Sequence, residues 1–160
     1  MKTLVLGLGN PILTDDGVGI RIANEIKKNC KDINVIEASA AGFRIIDEII
    51  GYDKLILIDS IKTGKAKPGT LYKFSVNDFQ PGGNEPLAYE KTLHYSSPHD
   101  ISLFNALKIM KEHNEKIPSQ IEIYAVEVDD ISTFSEKCTN DVEAAIPEIV
   151  KKIIKEQFAT

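Results

Sequence analysis

The stretch TLVLGLGNPILTDDGVGIRIANEI, residues 3–26, decides the fold of this 160-residue chain. It begins with a short apolar run, TLVLGL (3–8), that is rich in residues favouring β-strands, which is the pattern of a buried parallel strand. A polar loop follows. Small and apolar residues then return at helical spacing, at Gly19, Ile22, Ala23 and Ile26. A strand, a loop and a helix in this order are the first unit of an α/β fold.

The remainder of the chain continues this alternation. Further strands are predicted at 33–38, 54–59, 70–76 and 120–128, and further helices at 42–50, from Ser97 and from about Asn140. The polar–apolar alternation of 70–76 indicates an edge strand, and Glu143 is expected to complete a capping box at the last helix. We therefore predict the α/β class: a single three-layer α/β/α domain over residues 1–160, with a mainly parallel five-stranded sheet and helices on both faces.

Residues 77–96 are predicted to form a long loop rich in proline and glycine. A loop of this length inside a compact domain is uncommon and is usually functional or mobile. We expect it to take part in partner selection.

Composition narrows the class of protein. The formal net charge of −5 argues against a nucleic-acid partner, because phosphate binding needs a basic face. The two cysteines, Cys30 and Cys138, are far apart in the sequence, which is typical of a reducing compartment. No signal segment is recognisable, and no apolar stretch approaches the ~20 residues that a membrane span needs. We therefore expect a cytoplasmic protein without a membrane partner.

The loop after the first strand combines glycines with two adjacent aspartates. A dinucleotide-binding loop would need a third glycine where Ile12 stands, and a phosphate-binding P-loop would end in a lysine that this loop lacks. Asp15 and Asp16 would repel a phosphate, so the loop is predicted to bind a cation or to do acid–base chemistry. Consecutive side chains at a helix start diverge, so we expect one of them to point into a shared site. Helix capping is the alternative for either.

Two more candidate ligands are predicted at the same edge of the sheet, where the carboxyl ends of the strands meet. Asp59 closes an apolar strand, with a turn-capping role as the alternative. His99 stands at the second position of a helix, where the helix dipole disfavours the imidazolium and keeps a nitrogen lone pair available. A surface histidine is the alternative. Two carboxylates and one imidazole form an open O, O and N set that suits Ni²⁺ or Zn²⁺.

Four segments, in order along the chain, resemble the hydrogenase maturation endopeptidases, which trim the large subunit of nickel–iron hydrogenases. They are LVLGLGNPILTDDGVG at the start, LILIDSI in the middle, SPHD before a long helix and VEAAIPEIV near the end. The resemblance implies that Asp16, Asp59 and His99 are the metal-contacting and catalytic residues. Glu37 stands in VIEASAAG, where the family often has an aspartate, and its role is left open.

The resemblance also implies a function. The chain would recognise nickel in the precursor of a hydrogenase large subunit and remove the C-terminal extension of that precursor. Nickel would be carried by the substrate, and another divalent ion such as zinc or cadmium could substitute for it. The sequence has neither a nucleophile-elbow pattern nor HExxH. We therefore expect attack by water, activated by the metal or by a carboxylate, as in a metal-dependent or an aspartic-type protease.

Two other functions stay open at this point. A non-catalytic checkpoint or chaperone could bind the nickel site of the precursor through the same three residues without cutting it. The segment GLGNP also opens the peptidyl-tRNA hydrolases. Those enzymes continue with a glycine, a tyrosine and a histidine-containing motif, whereas this chain continues ILTDDGVG and is acidic, so this alternative is disfavoured.

Overall fold

A computed structural model of the chain describes residues 1–39, 43–77 and 109–159. The strands are β1 (Thr3–Leu8), β2 (Asn34–Ala38), β3 (Lys54–Ile61), β4 (Leu71–Asn77) and β5 (Gln120–Glu127). The helices are α1 (Val18–Asn29), α2 (Phe43–Ile49) and α3 (Asn140–Gln157), and a 3-10 turn, Thr14–Gly17, precedes α1. His99, the start of its predicted helix and the predicted loop beyond Asn77 lie outside the described residues.

The described strands form one five-stranded sheet in the order β2-β1-β3-β5-β4. All neighbouring pairs are parallel except β4, which runs antiparallel to β5 at the edge. This confirms the predicted α/β class and the mainly parallel sheet with an edge strand. The crossover order places the carboxyl ends of β1, β3 and β5 side by side, at the edge where sites form in such sheets.

The helices cover both faces of the sheet, as predicted. On one face, Leu55 and Leu57 of β3 belong to a buried cluster with Ile49 of α2. On the other face, Ile56 and Ile58 of β3 belong to a second cluster, together with residues of α1 and α3. Successive side chains of a strand point to opposite faces, so β3 supplies both clusters. No helix in the described part of the chain is long and apolar enough to span a membrane.

The third strand is longer than predicted, because Asp59 does not end it. Ser60 and Ile61 continue β3 and pair with Val126 and Glu127 of β5. The apolar run ends at Asp59, but the backbone hydrogen bonds of a parallel ladder do not depend on side-chain polarity. Asp59 therefore lies inside the strand, two residues before its end.

Helix α3 begins at Asn140, as predicted, but the predicted capping box is not formed. Thr139 is the N-cap residue, and Glu143 does not close a capping box with it. The N–H group of Thr139 that such a box would use donates instead to Asp15 Oδ1 at 2.7 Å. Glu143 forms a two-pronged ion pair with Arg21 of α1. Distant Asp15 thus takes the N–H of Thr139, while Glu143 also accepts the N–H of Cys138, one residue before the N-cap, at 3.3 Å.

Helix α1 approaches the sheet most closely at Gly19. A Cβ atom on Gly19 would lie 2.3 Å from the carbonyl oxygen of Ile58 and 2.5 Å from that of Leu8. Any side chain there would push α1 away from β1 and β3. The lack of a side chain at Gly19 therefore determines the distance between the turn before α1 and the carboxyl edge of the sheet.

Candidate active site

The loop after β1 folds back over the 3-10 turn that carries the two aspartates. Gly9 has a φ of +138°, and a Cβ atom on it would lie 1.9 Å from the carbonyl oxygen of Asp16. Only glycine combines this backbone conformation with so close an approach. The N–H of Gly9 donates to the carbonyl oxygen of Ala38 at the end of β2. The loop is thus held directly above the carboxyl ends of β1 and β2.

Asp15 is fully buried and anchors this turn to a distant part of the chain. Its Oδ2 accepts the N–H groups of Asp129 and Asp130 at 3.0 and 3.1 Å, and its Oδ1 accepts the N–H of Thr139 at 2.7 Å. The hydroxyl of Thr139 also donates to the carboxylate. These donors occupy the lone pairs that a metal ion would need. Asp15 therefore has the structural role that was expected of one of the two aspartates.

Asp16 is half-buried and points towards the end of β3. Its Oδ2 accepts the N–H of Asn10 at 2.9 Å, and its Oδ1 lies 3.4 Å from the hydroxyl of Ser60, which donates to it. Fewer donors surround this carboxylate than surround Asp15. Asp16 thus combines access from solvent with capacity for a ligand.

Asp59 is the buried member of the candidate set, with 3% of its surface exposed. Its Oδ1 accepts the N–H of Ser60 at 2.7 Å. Ser60 therefore contacts both Asp16, through its hydroxyl, and Asp59, through its backbone. Both of these predicted site residues thus contact Ser60, at the carboxyl edge of the sheet. His99 lies outside the described residues, and its approach to them stays a prediction.

Among the described residues, no group of three or more histidine, cysteine and acidic side chains is arranged to hold a metal ion. Asp16 and Asp59 would supply two oxygen ligands, which leaves at least one ligand to come from another residue or from a bound partner. Glu37 lies exposed in β2, opposite Gly7 of β1. The chemistry of the two carboxylates suits an open site rather than a closed structural one.

The sequence analysis missed a second buried acid near Asp59. Glu127, at the end of β5, is 1% exposed and accepts the N–H of Thr63 at 2.8 Å together with the hydroxyls of Thr63 and Tyr72. The hydrogen bonds between Thr63 and Glu127 hold in place the loop that follows β3. The signal was present, because Glu127 interrupts an apolar strand in the same way as Asp59.

The residue before the aspartate pair has an unusual backbone. Thr14 has a φ of +51°, which is sterically unfavourable for a β-branched residue. Its hydroxyl donates to the carbonyl oxygen of Thr133, and its N–H donates to that of Ser135 at 3.0 Å. Strain of this kind persists only where surrounding contacts impose it, and it clusters at functional sites.

Cys138 packs beneath this turn, with its sulfur 3.8 Å from the carbonyl oxygen of Thr14. Burial raises the pKa of its thiol to about 11. Since the thiolate is the reactive form, Cys138 stays protonated and unreactive near neutral pH. Cys138 therefore acts as a packing residue.

Solved structures with the same fold include hydrogenase maturation proteins. The maturating endopeptidase HybD from Escherichia coli superposes with a TM-score of 0.77 over 99% of this chain and 94% of its own, at 23% identity, a likeness that concerns the fold alone. The [NiFe] hydrogenase maturation protease HybD from Thermococcus kodakarensis superposes with a TM-score of 0.75 over the whole of both chains, at 26% identity.

Sequence comparison gives the same relatives. The chain is 26% identical over 129 residues to the hydrogenase 2 maturation protease of Escherichia coli K12, which covers 79% of this chain and 73% of the relative. Residues 20–156 match the family profile described as HycI, hydrogenase maturation protease. That match spans most of the chain and includes β3 with Asp59. The chain therefore belongs to the hydrogenase maturation protease family.

Proposed function

We propose that this protein is an endopeptidase that removes the C-terminal extension from the precursor of a hydrogenase large subunit. The observation that carries the proposal is the meeting of Asp16 and Asp59 at Ser60, on the carboxyl edge of the sheet. Family membership supports a peptidase, and the names of the relatives supply the class of substrate.

We further propose that nickel already held by the precursor is recognised by Asp16, Asp59 and His99. Two carboxylates and an imidazole form a set that accepts a borderline divalent ion and leaves coordination positions to the ligands of the precursor. Zinc or cadmium could occupy the same set. In this scheme the ion is part of the substrate, and the protein senses whether it has been inserted.

The two carboxylates differ in access, which suggests a division of roles. Asp16 is half-buried, so it is the one that an incoming precursor can reach, whereas Asp59 is almost completely buried. We expect Asp16 to contact the ion and the water that attacks the peptide bond. We expect Asp59 to be the second, buried ligand of the ion. A carboxylate in the position of Asp16 can also serve as the general base.

The proposal is tested by incubating the protein with the nickel-loaded precursor of the large subunit from the same organism and measuring intact masses. We expect the wild type to release a C-terminal peptide. The variants Asp16→Asn and His99→Ala should lose processing while remaining folded, as judged by circular dichroism. Asp32→Asn, which alters an exposed aspartate away from the site, is the matched control and should process normally.

Two results would contradict the proposal. An unchanged precursor mass together with a stable complex would favour the non-catalytic checkpoint. Normal processing by Asp16→Asn would show that Asp16 is not part of the active site. The nickel-free precursor supplies a further control, since it should stay uncut if the ion is the feature that is recognised.

A further inference from the structure

Large apolar side chains are exposed at few places in the described part of the chain. They are Met1, Ile12, Ile109 and Phe134, of which Phe134 is 80% exposed and Ile12 is 47% exposed. Met1 is the terminal residue and Ile109 lies on a separate helical segment. Ile12 and Phe134 belong to two segments that touch each other beside the candidate site, and we call them the apolar pair.

The two residues of the apolar pair occupy matching positions. Leu13 and Ser135 form a parallel β-bridge, and the N–H of Ser135 donates to the carbonyl oxygen of Ile12 at 2.9 Å. Ile12 and Phe134 each precede one of the bridged residues. The bridge and this hydrogen bond hold the backbones of Ile12 and Phe134 beside each other, and both side chains are exposed.

The backbone under the apolar pair is held firmly. The N–H of Ile12 donates to the side-chain oxygen of Asn10 at 3.2 Å. On the other segment, the N–H groups of Ser132 and Thr133 donate to Asp130 Oδ1 at 3.0 and 2.9 Å. Little backbone freedom is left to lose when a partner binds, and such preorganisation favours affinity.

The apolar pair is continuous with the candidate site. Ile12 lies four residues before Asp16, and the N–H of Asn10 donates to Asp16 Oδ2. Even a fully extended chain would separate Ile12 from Asp16 by only about 14 Å. A polypeptide bound at Asp16 can therefore reach the apolar pair with a segment of about four residues.

Acidic side chains outnumber basic ones in the segment that carries Phe134, with Asp129, Asp130 and Glu136 against Lys137. Glu136 is exposed two residues after Phe134. Asp130 lies four residues before Phe134, and hydrogen bonds from Thr133 and Ser132 lower its pKa to about 2, so it stays charged. A complementary partner would present an apolar side chain with a lysine or arginine near it, because exposed apolar side chains on a rigid surface mark interaction sites and charge sets their specificity.

We propose that Ile12 and Phe134 form the docking surface for the precursor, and that they receive an apolar side chain, flanked by a basic residue, from the segment next to the bond that is cut. This inference rests on the proposed function and deepens it. The apolar pair determines which polypeptide is held, while Asp16 and Asp59 belong to the reacting centre. A few well-packed anchor side chains carry most of the binding energy of such an interface.

The test compares the wild type with Ile12→Ser, Phe134→Ser and the control Ile109→Ser. The nickel-loaded large-subunit precursor from the same organism is the probe, and its binding and its cleavage are measured separately. We expect the Kd or KM to rise about tenfold or more in the two pair variants, with kcat and the thermal midpoint nearly unchanged. Binding by the wild type should also weaken as salt is raised.

Each other outcome identifies what has failed. Cleavage and binding by Ile12→Ser and Phe134→Ser equal to those of the wild type and Ile109→Ser would overturn this inference and leave the proposed function standing. A wild type that binds without cutting would overturn the proposed protease function, while the binding measurements would still test the docking surface. A wild-type dimer in sedimentation that Phe134→Ser dissociates would reassign the surface to contacts between copies and overturn the inference.

Discussion

Asp15 and Asp16 have identical side chains, but their surroundings give them different roles. Asp15 accepts three backbone N–H groups and a hydroxyl and is fully buried. Asp16 is half-buried and accepts one backbone N–H and the hydroxyl of Ser60. The first is committed to holding the turn in place, and the second retains capacity for chemistry. Function and stability are therefore expected to respond to different aspartates.

This separation gives a prediction at the residue scale. Asp15→Asn places an NH₂ group among buried donors, so we expect it to lower the free energy of unfolding by about 2–4 kcal/mol. Asp16→Asn should change it by less than ~1 kcal/mol, since its site is partly solvated. Urea unfolding followed by circular dichroism measures both, and equal losses in the two variants would contradict the assignment.

Without the family resemblance, which points to Asp16, the residue pattern could narrow this part of the site only to the pair of aspartates. Periodicity cannot tell which of two consecutive residues points inwards, and the partners that decide it, Asp129, Asp130 and Thr139, are 114 to 124 residues away. The same limit explains the wrong prediction for Glu143. Its local capping box was plausible, but Asp15 takes the N–H of Thr139 and Arg21 takes the carboxylate.

At the scale of elements, patterns within one segment predicted most of the fold. The strands β1, β2 and β5 begin and end within a residue of their predicted limits. For β1 the reason is that a buried parallel strand is a continuous apolar run. The prediction was wrong for the end of β3. β3 ends where its neighbour β5 ends, and the sequence of β3 alone does not contain that information.

The contact between α1 and the sheet gives a prediction for this scale. Gly19→Ala would improve helix propensity by about 1 kcal/mol, yet its Cβ would clash with the carbonyl oxygens of Ile58 and Leu8. We expect net destabilisation of about 1–3 kcal/mol. Processing of the precursor should also fall, because α1 carries the turn with Asp16. Lys27→Ala, at an exposed position of α1, is the control for both measurements.

If Gly19→Ala were as stable as Lys27→Ala, the close approach of α1 to the sheet would not constrain the fold. Loss of stability with full processing would be informative in another way. It would show that the height of α1 over the sheet matters for packing and leaves the position of Asp16 unaffected.

At the scale of the molecule, both buried clusters share the central strands. β1, β3 and β5 contribute side chains to the α2 face and to the face covered by α1 and α3. Disruption of these strands would therefore disrupt both clusters together. The prediction of one domain over residues 1–160 therefore leads to an expectation of cooperative unfolding, which is usual for single domains of about this size.

Calorimetry tests this expectation. We expect a single transition, with equal calorimetric and van 't Hoff enthalpies, that coincides with the loss of ellipticity and with the change in tyrosine fluorescence. The chain has five tyrosines and no tryptophan, so the fluorescence reports on tyrosine alone. Two separate transitions would show that part of the chain folds independently.

The anchoring of Asp15 also has a consequence for how the protein is made in the cell. The turn that carries Asp16 is anchored, through the neighbouring Asp15, by residues 129–139. A nascent chain that still lacks this late segment at the ribosome cannot assemble the site, however early its first strand and helix form. The site would therefore assemble only after residues 129–139 have emerged from the ribosome, which would protect neighbouring nascent polypeptides from premature cutting.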